Sequence, residues 1–335
     1  MSEHVPEFNS SPGKASVPSI VDELREWWEA MPNKPMMGGL LLLWIGLFHL
    51  LGNSTLGYVK TSSLFGWMDY AYSNRADDEH GYFVPFLVLG LLYWKREELM
   101  ALPKSVWWPG LVLMVPALAL HIVGFQVQQT RLSIVAFYSG LFGLTCLVWG
   151  WQWLRATFFP FFLLSFCVPL GNKADVITQP LRQLATDITT VIARGPLGIN
   201  VLQNGTTIFD PTGKFTYEIA AACSGLRSLT AITVLAIIFA FVWFKSWWKR
   251  GLILAAAVPL AIGSNVFRLS SIIVAAEAFG QKAGMFVHDN WLLSLLPYLP
   301  AMLGLFVLGW LLEGRWRNLW RAFKGRKAET EEVAA

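Results

Sequence analysis

Residues 251–279 read GLILAAAVPLAIGSNVFRLSSIIVAAEAF, an apolar run in which Arg268 and Glu277 are the only ionisable side chains. A spanning helix needs about 20 such residues, and this run exceeds that length. Similar stretches recur on both sides of it, at roughly 36–53, 81–94, 107–125, 132–153, 156–171, 222–244 and 291–313. The reading is an all-α polytopic membrane protein of about eight transmembrane helices. The second and fifth stretches are short for a crossing, so they are expected to tilt, extend at their polar ends or insert only in part.

Composition agrees. Of 335 residues, 55% are hydrophobic and 14% charged, whereas a soluble domain carries roughly 25% charged residues. An ordinary cytosolic enzyme and a disordered chain are excluded. The formal net charge is +4, too small to argue for nucleic acid as a partner. Cys146, Cys167 and Cys223 are too few for a disulfide scaffold.

Basic residues sort by side. With a cytoplasmic N-terminus, sixteen of the 26 Lys and Arg fall on the cytoplasmic side, eight fall outside, and Arg227 and Arg268 lie within apolar stretches. This is the expected positive-inside bias. Both termini are therefore expected on the cytoplasmic side of the membrane: a tail at 1–35, a membrane domain at 36–313 and a basic tail at 314–335. The N-terminal tail lacks a signal-peptide pattern, and its piece Ile20 to Met31, with Trp27 and Trp28, suits a membrane surface.

Between the fifth and sixth stretches lies a polar-rich segment, Asn172 to Ala221. In Ala174 to Ala193, Val176, Ile177, Leu181, Leu184, Ile188, Val191 and Ile192 recur at helical spacing against Asp175, Arg182 and Asp187, predicting an interfacial amphipathic helix on the outer face. Asn200 to Ile219 alternates around Asn204-Gly205 and Asp210-Pro211-Thr212-Gly213, predicting a short hairpin.

A charge inside a spanning helix costs at least ~2.5 kcal/mol, so such residues are functional candidates. Cys223 opens the sixth helix in Ala-Ala-Cys-Ser-Gly-Leu-Arg-Ser, where the helix start and nearby Arg227 favour a thiolate; a tightly packed small-residue turn explains the same residues. Asn265 and Arg268 are three apart and share a helix face; Arg268 also has Glu277 as an available partner. Arg268 lies about 25 Å along its helix from Gly251, at the outer leaflet. His288 falls in an expected outer loop, Gln281 to Asn290, where a solvated histidine is the plain alternative. A thiol, an imidazole and a guanidinium at one depth suit acyl transfer. His80, in Asp77-Asp78-Glu79-His80-Gly81-Tyr82-Phe83-Val84-Pro85, is a substrate-rim candidate, and its acidic neighbours lack metal-site spacing. His49 and His121 are expected to satisfy hydrogen bonds between helices. Cys167, near the outer end of the fifth stretch, is a candidate disulfide partner for Cys223.

The block Ala221 to Leu229, Asn265-x-x-Arg268, His288 and the His80 to Pro85 block, taken in this order, resemble the exosortase/archaeosortase family, over roughly residues 70–300. The departures around His288 and before Cys223, where Glu218 is the preceding acid, mark a divergent member. The resemblance implies a membrane cysteine transpeptidase or protease that cuts C-terminal sorting signals: a Pro-Glu-Pro-type motif, a transmembrane helix and a basic tail. Cys223 is then the nucleophile, His288 the base or acid and Arg268 the electrostatic stabiliser, with His80, Ser224, Arg227 and Asn265 contacting substrate. Implied partners are sorting-signal proteins, membrane lipid and a saccharide or lipid acceptor; no metal, cofactor or nucleic acid is expected. Two other classes fit the charges: a transporter holding an anion through Arg227 and Arg268, though without inverted repeats, and a scaffold for polysaccharide export.

Overall fold

The structure, a computed structural model, describes residues 19–52, 59–74, 78–170, 175–218, 225–290, 293 and 298–314. No sequence linker divides the chain, yet it resolves into two compact units, each made of separated segments: Met1–Phe65 with Phe86–Ser165, and Gly66–Pro85 with Phe166–Ala335.

The first unit starts with α1 (Ile20–Ala30), which opens on a reciprocal cap. The Asp22 amide donates to Ser19 Oγ and the Ser19 amide to Asp22 Oδ2, each at 3.2 Å, satisfying donors that a helix start leaves free. Trp27 packs against Met31, Leu99 and Trp153, while Trp28 is exposed. Helices α2 (Lys34–Leu50), α4 (Val84–Trp94), α5 (Arg96–Ala101), α6 (Leu111–Gln126), α7 (Thr130–Trp149) and α8 (Trp151–Leu163) follow, with α3 (Leu64–Asn74) beginning at the boundary between the units. The Glu23 carboxylate of α1 receives Arg96 Nη2 at 3.0 Å and the Tyr93 hydroxyl at 2.6 Å, which fastens the amphipathic helix to α4 and α5. Trp44 Nε1 donates to the Phe137 carbonyl at 3.0 Å. A Cβ on Gly140 would stand 2.0 Å from the Trp44 ring, so the glycine is what lets α2 and α7 close. His121 meets Ser133 Oγ at 3.0 Å and the Leu51 carbonyl at 3.1 Å, and His49 meets Ser63 Oγ at 3.0 Å, as expected for polar residues on apolar helices.

The second unit is organised by one 33-residue helix. α9 (Asp175–Arg194) is followed by a three-stranded antiparallel sheet, β1 (Leu202–Asn204), β2 (Thr207–Phe209) and β3 (Thr216–Glu218), in the order β1-β2-β3. Then come α10 (Gly225–Trp243), α11 (Trp247–Phe279), α12 (Gln281–Asp289) and α13 (Tyr298–Glu313). α11 packs on α9, α10, α12 and α13. Its first half shares a core with α10 and α13 through Ile232, Ala236, Ala240, Ile253, Ala257, Ala261, Ala301 and Leu305. Its second half, Val266 to Ala276, shares another with Ala185 and Ala193 of α9, Ile208 of β2 and Phe215. Small residues set the spacing: a Cβ on Gly309 would stand 2.6 Å from the Phe239 ring.

Among the described residues three helices are long and apolar enough to cross a membrane, Trp108–Gln126, Thr130–Trp149 and Trp247–Phe279, with shorter apolar helices at Lys34–Leu50, Leu229–Trp243 and Tyr298–Glu313. The chain is a mainly helical, multi-pass membrane protein.

Five expectations change. The stretch at 81–94 becomes a 3-10 turn, Glu79–Tyr82, followed by the 11-residue α4, and the fifth stretch is the 13-residue α8 ending in a 3-10 turn. The run 132–153 breaks at Gly150, whose φ of +94° favours glycine. The hairpin gains a third strand, because both turn signals fold the chain back. The outer loop before the last apolar stretch is the helix α12, started by Gly280 at φ +84°. The amphipathic helix does form, as α9, with Val176, Leu184, Ile188 and Val191 exposed and Arg182, Thr186, Thr189 and Thr190 buried. Such a helix turns its apolar face away from the protein, as suits a lipid-facing surface.

Candidate active site

α11 carries the polar step Ser264-Asn265-x-x-Arg268 between its two cores. Ser264 is 1% exposed and Asn265 5%. Asn265 and Arg268 fall one turn apart on the face that also holds buried Ala261 and Ile272. Arg268 Nε is buried and has no hydrogen-bond partner among the described residues. Burying a donor of a charged group without an acceptor is costly, so this edge of the guanidinium is poised for an acceptor from elsewhere. Glu277, further along α11 and on the opposite face from Arg268, is engaged by Lys214 Nζ at 2.8 Å. That bond holds the Lys214 ammonium above its ordinary value.

α12 packs against α11, and Val287 joins the core that contains Val266 and Leu269. The backbone carrying His288 is thereby brought beside the second half of α11; its side chain lies outside what is described. Arg227 sits in the first turn of α10, likewise without a described side chain, and Cys223 and Ser224 lie outside the described residues. The proposed Cys167–Cys223 pairing falls outside them too; Cys167 itself is wholly buried.

His80 sits in the 3-10 turn, half-buried. The turn is built from its neighbours. Tyr82 donates its hydroxyl to Asp69 Oδ1 at 2.6 Å and shares 2.8 Å with Ser73 Oγ. Its ring stands edge-on to Tyr72 at 5.0 Å. A Cβ on Gly81 would meet the Tyr72 ring at 2.4 Å. Tyr72 donates to the Cys167 carbonyl, and buried Asp78 accepts the Leu170 amide at 3.1 Å. Burial, with Cys167 and Asp78 nearby, pushes the Tyr72 hydroxyl well above its ordinary value. The block around His80 is thus fixed to residues 167–170, just ahead of α9.

Sequence reasoning missed two hydroxyls. Thr190 Oγ1 on α9 and Ser270 Oγ on α11 are buried without a hydrogen-bond partner among the described residues, on helices that pack together. The signal was present in α9, where Arg182, Thr186, Thr189 and Thr190 recur at helical spacing opposite the large aliphatics. Among the described residues no group of three His, Cys, Asp or Glu could hold a metal.

The described candidates, His80, Arg227, Asn265, Arg268 and the backbone of His288, belong to the second unit, and Cys223 and Ser224 fall between them in sequence. No curated protein and no solved structure matches the chain. The profile of the transmembrane exosortase family matches residues 67–306, a span that takes in every one of these candidates and most of the chain. The chain therefore belongs to the transmembrane exosortase family.

Proposed function

We propose that the protein is a cysteine protease or transpeptidase embedded in the inner membrane, cleaving C-terminal sorting signals of exported proteins at the outer face. Both termini are cytoplasmic in this reading, and residues 36–313 form the membrane domain. Family membership supports the class of reaction. The observation that carries the site is Arg268 Nε, buried on the segment of α11 that forms the second core and without an acceptor among the described residues.

The Cys223 thiolate attacks the scissile carbonyl carbon, and the oxygen that gains charge is held by Arg268. His288 protonates the departing amine, which leaves the acyl group as a thioester on Cys223. An amine of a lipid or saccharide, or water, attacks that thioester, gives up its proton to His288 and expels Cys223 as the thiolate. Asn265, one turn from Arg268, and His80, Ser224 and Arg227 contact the substrate.

The test is co-expression with a protein that ends in a Pro-containing motif, an apolar helix and a basic tail. Cys223→Ala is expected to abolish processing while Cys146→Ala and Cys167→Ala preserve it. Undiminished processing by Cys223→Ala overturns the mechanism.

A further inference from the structure

Where α10 hands over to α11, three indoles face outward: Trp243 is 48% exposed, Trp247 74% and Trp248 64%. Lys245, Lys249 and Arg250 stand among them. Lys249 Nζ lies 5.7 Å from the ring centres of both Phe244 and Trp248. The Arg250 guanidinium lies 4.6 Å from Phe241 and 5.0 Å from Trp247, and its Nε donates to the Phe244 carbonyl at 2.7 Å. Among the described residues none of these three cations pairs with a carboxylate. Glu313, which α13 brings to this end, accepts the Trp243 indole N–H at 2.5 Å.

The two halves of this patch ask for different surroundings. Exposed indoles gain from an apolar boundary that still offers acceptors for N–H. Cations without counter-ions gain from anions. Water serves the cations and leaves the rings exposed; an uncharged lipid layer covers the rings and leaves the cations unmatched. A layer of anionic headgroups at the edge of acyl chains serves both. The sequence beyond Glu313 repeats this chemistry, with Arg315, Trp316, Arg317, Trp320, Arg321 and Lys324.

We propose that the turn from Trp243 to Arg250 is a binding site for anionic glycerophospholipid headgroups, with Lys245 and Lys249 facing the phosphate and the indoles seated at the acyl boundary. The site stands apart from the cysteine chemistry and holds whether or not Cys223 is the nucleophile.

Native mass spectrometry of the full chain in uncharged detergent tests it, with dioleoyl phosphatidylglycerol and dioleoyl phosphatidylcholine offered at equal concentration. The wild type is expected to retain the phosphatidylglycerol preferentially. Lys245→Gln with Lys249→Gln should weaken that retention about fivefold per lysine and leave phosphatidylcholine unchanged. Equal retention of both lipids by the wild type, or unchanged phosphatidylglycerol retention by the double variant, overturns the site. Should the double variant fail to fold, the wild type decides: its preference must fall as salt rises, and a salt-independent preference overturns the proposal. Inorganic phosphate at the same concentration should not displace the lipid; displacement would assign the site to free phosphate.

Discussion

Lys214 Nζ lies 2.8 Å from Glu277 Oε1, and this pair ties the turn between β2 and β3 to the far end of α11, on the face opposite Arg268. Lys214 is thereby spent on holding the sheet to the end of α11, while Arg268 Nε has no hydrogen-bond partner among the described residues.

Glu277→Gln should therefore leave processing within about twofold, whereas Arg268→Ala should lower it by about 10²–10³, the loss that follows removal of an oxyanion donor. Processed substrate per unit time, compared at equal enzyme level, checks both. The Lys214 ammonium is raised by Glu277, so the pair stabilises the fold fully below the ordinary lysine value of 10.5 and loses that effect as pH rises through the higher folded value. Wild type and Glu277→Gln should differ slightly in thermal unfolding at neutral pH and converge in strong alkali; both side chains are partly solvated, which keeps the difference small.

Gly81→Ala should destabilise the protein by about 1–3 kcal/mol, because the added methyl would run into the Tyr72 ring. Combining it with Tyr72→Leu should recover part of the loss. Denaturant or thermal unfolding of the single and double variants measures the coupling.

Thr190→Val should raise stability by about 1 kcal/mol. Its hydroxyl is buried with no hydrogen-bond partner among the described residues, so a methyl of the same shape removes a desolvation penalty without opening a cavity. A fall in unfolding temperature would mean that the hydroxyl is satisfied in solution.

The turn between β2 and β3 should loosen in acid. Asp210 Oδ2 accepts the Thr212 hydroxyl and amide and the Lys214 amide, and these bonds, the Thr212 hydroxyl foremost, hold its carboxyl below the usual value. The stabilisation is present above the ordinary carboxylate value of 3.8 and disappears as pH falls through the lower folded value. Asp210→Ala should reproduce the loosened turn at neutral pH, seen as faster hydrogen exchange or proteolysis at 210–215.

Much of this architecture is legible in the chain because apolar runs, turn residues and isolated charges act locally. The α11 run, the stripe on α9 and both turn signals of the sheet can all be read this way. What stayed hidden depends on groups far apart in sequence. Glu277 shares a helix with Arg268 but faces the other way, and only the fold of the sheet brings Lys214 to its carboxylate. Residues 281–289 look like a loop because they are short and polar, yet Val287 finds a core made by α9 and α11 that no local pattern announces. Gly81 is one letter of the His80 to Pro85 block in the sequence, and its reason is Tyr72, nine positions earlier. The two hydroxyls at Thr190 and Ser270 escaped because Ser and Thr on apolar helices usually bond their own preceding turn, as Thr186 and Thr189 do.

The 33-residue α11 has one further implication. Arg250 and Arg268 lie on the same unbroken helix, eighteen residues apart, or about 27 Å, close to the ~30 Å thickness of a bilayer's hydrocarbon layer. In the proposed orientation the helix is a ruler: one end is tied to the headgroups on the inner side, and the other sets the height at which a peptide meets the guanidinium. The cut would then be measured from the membrane as well as read from the substrate's residues. Lengthening or shortening α11 by one turn between these arginines should move the cleavage position along the substrate before it abolishes cleavage.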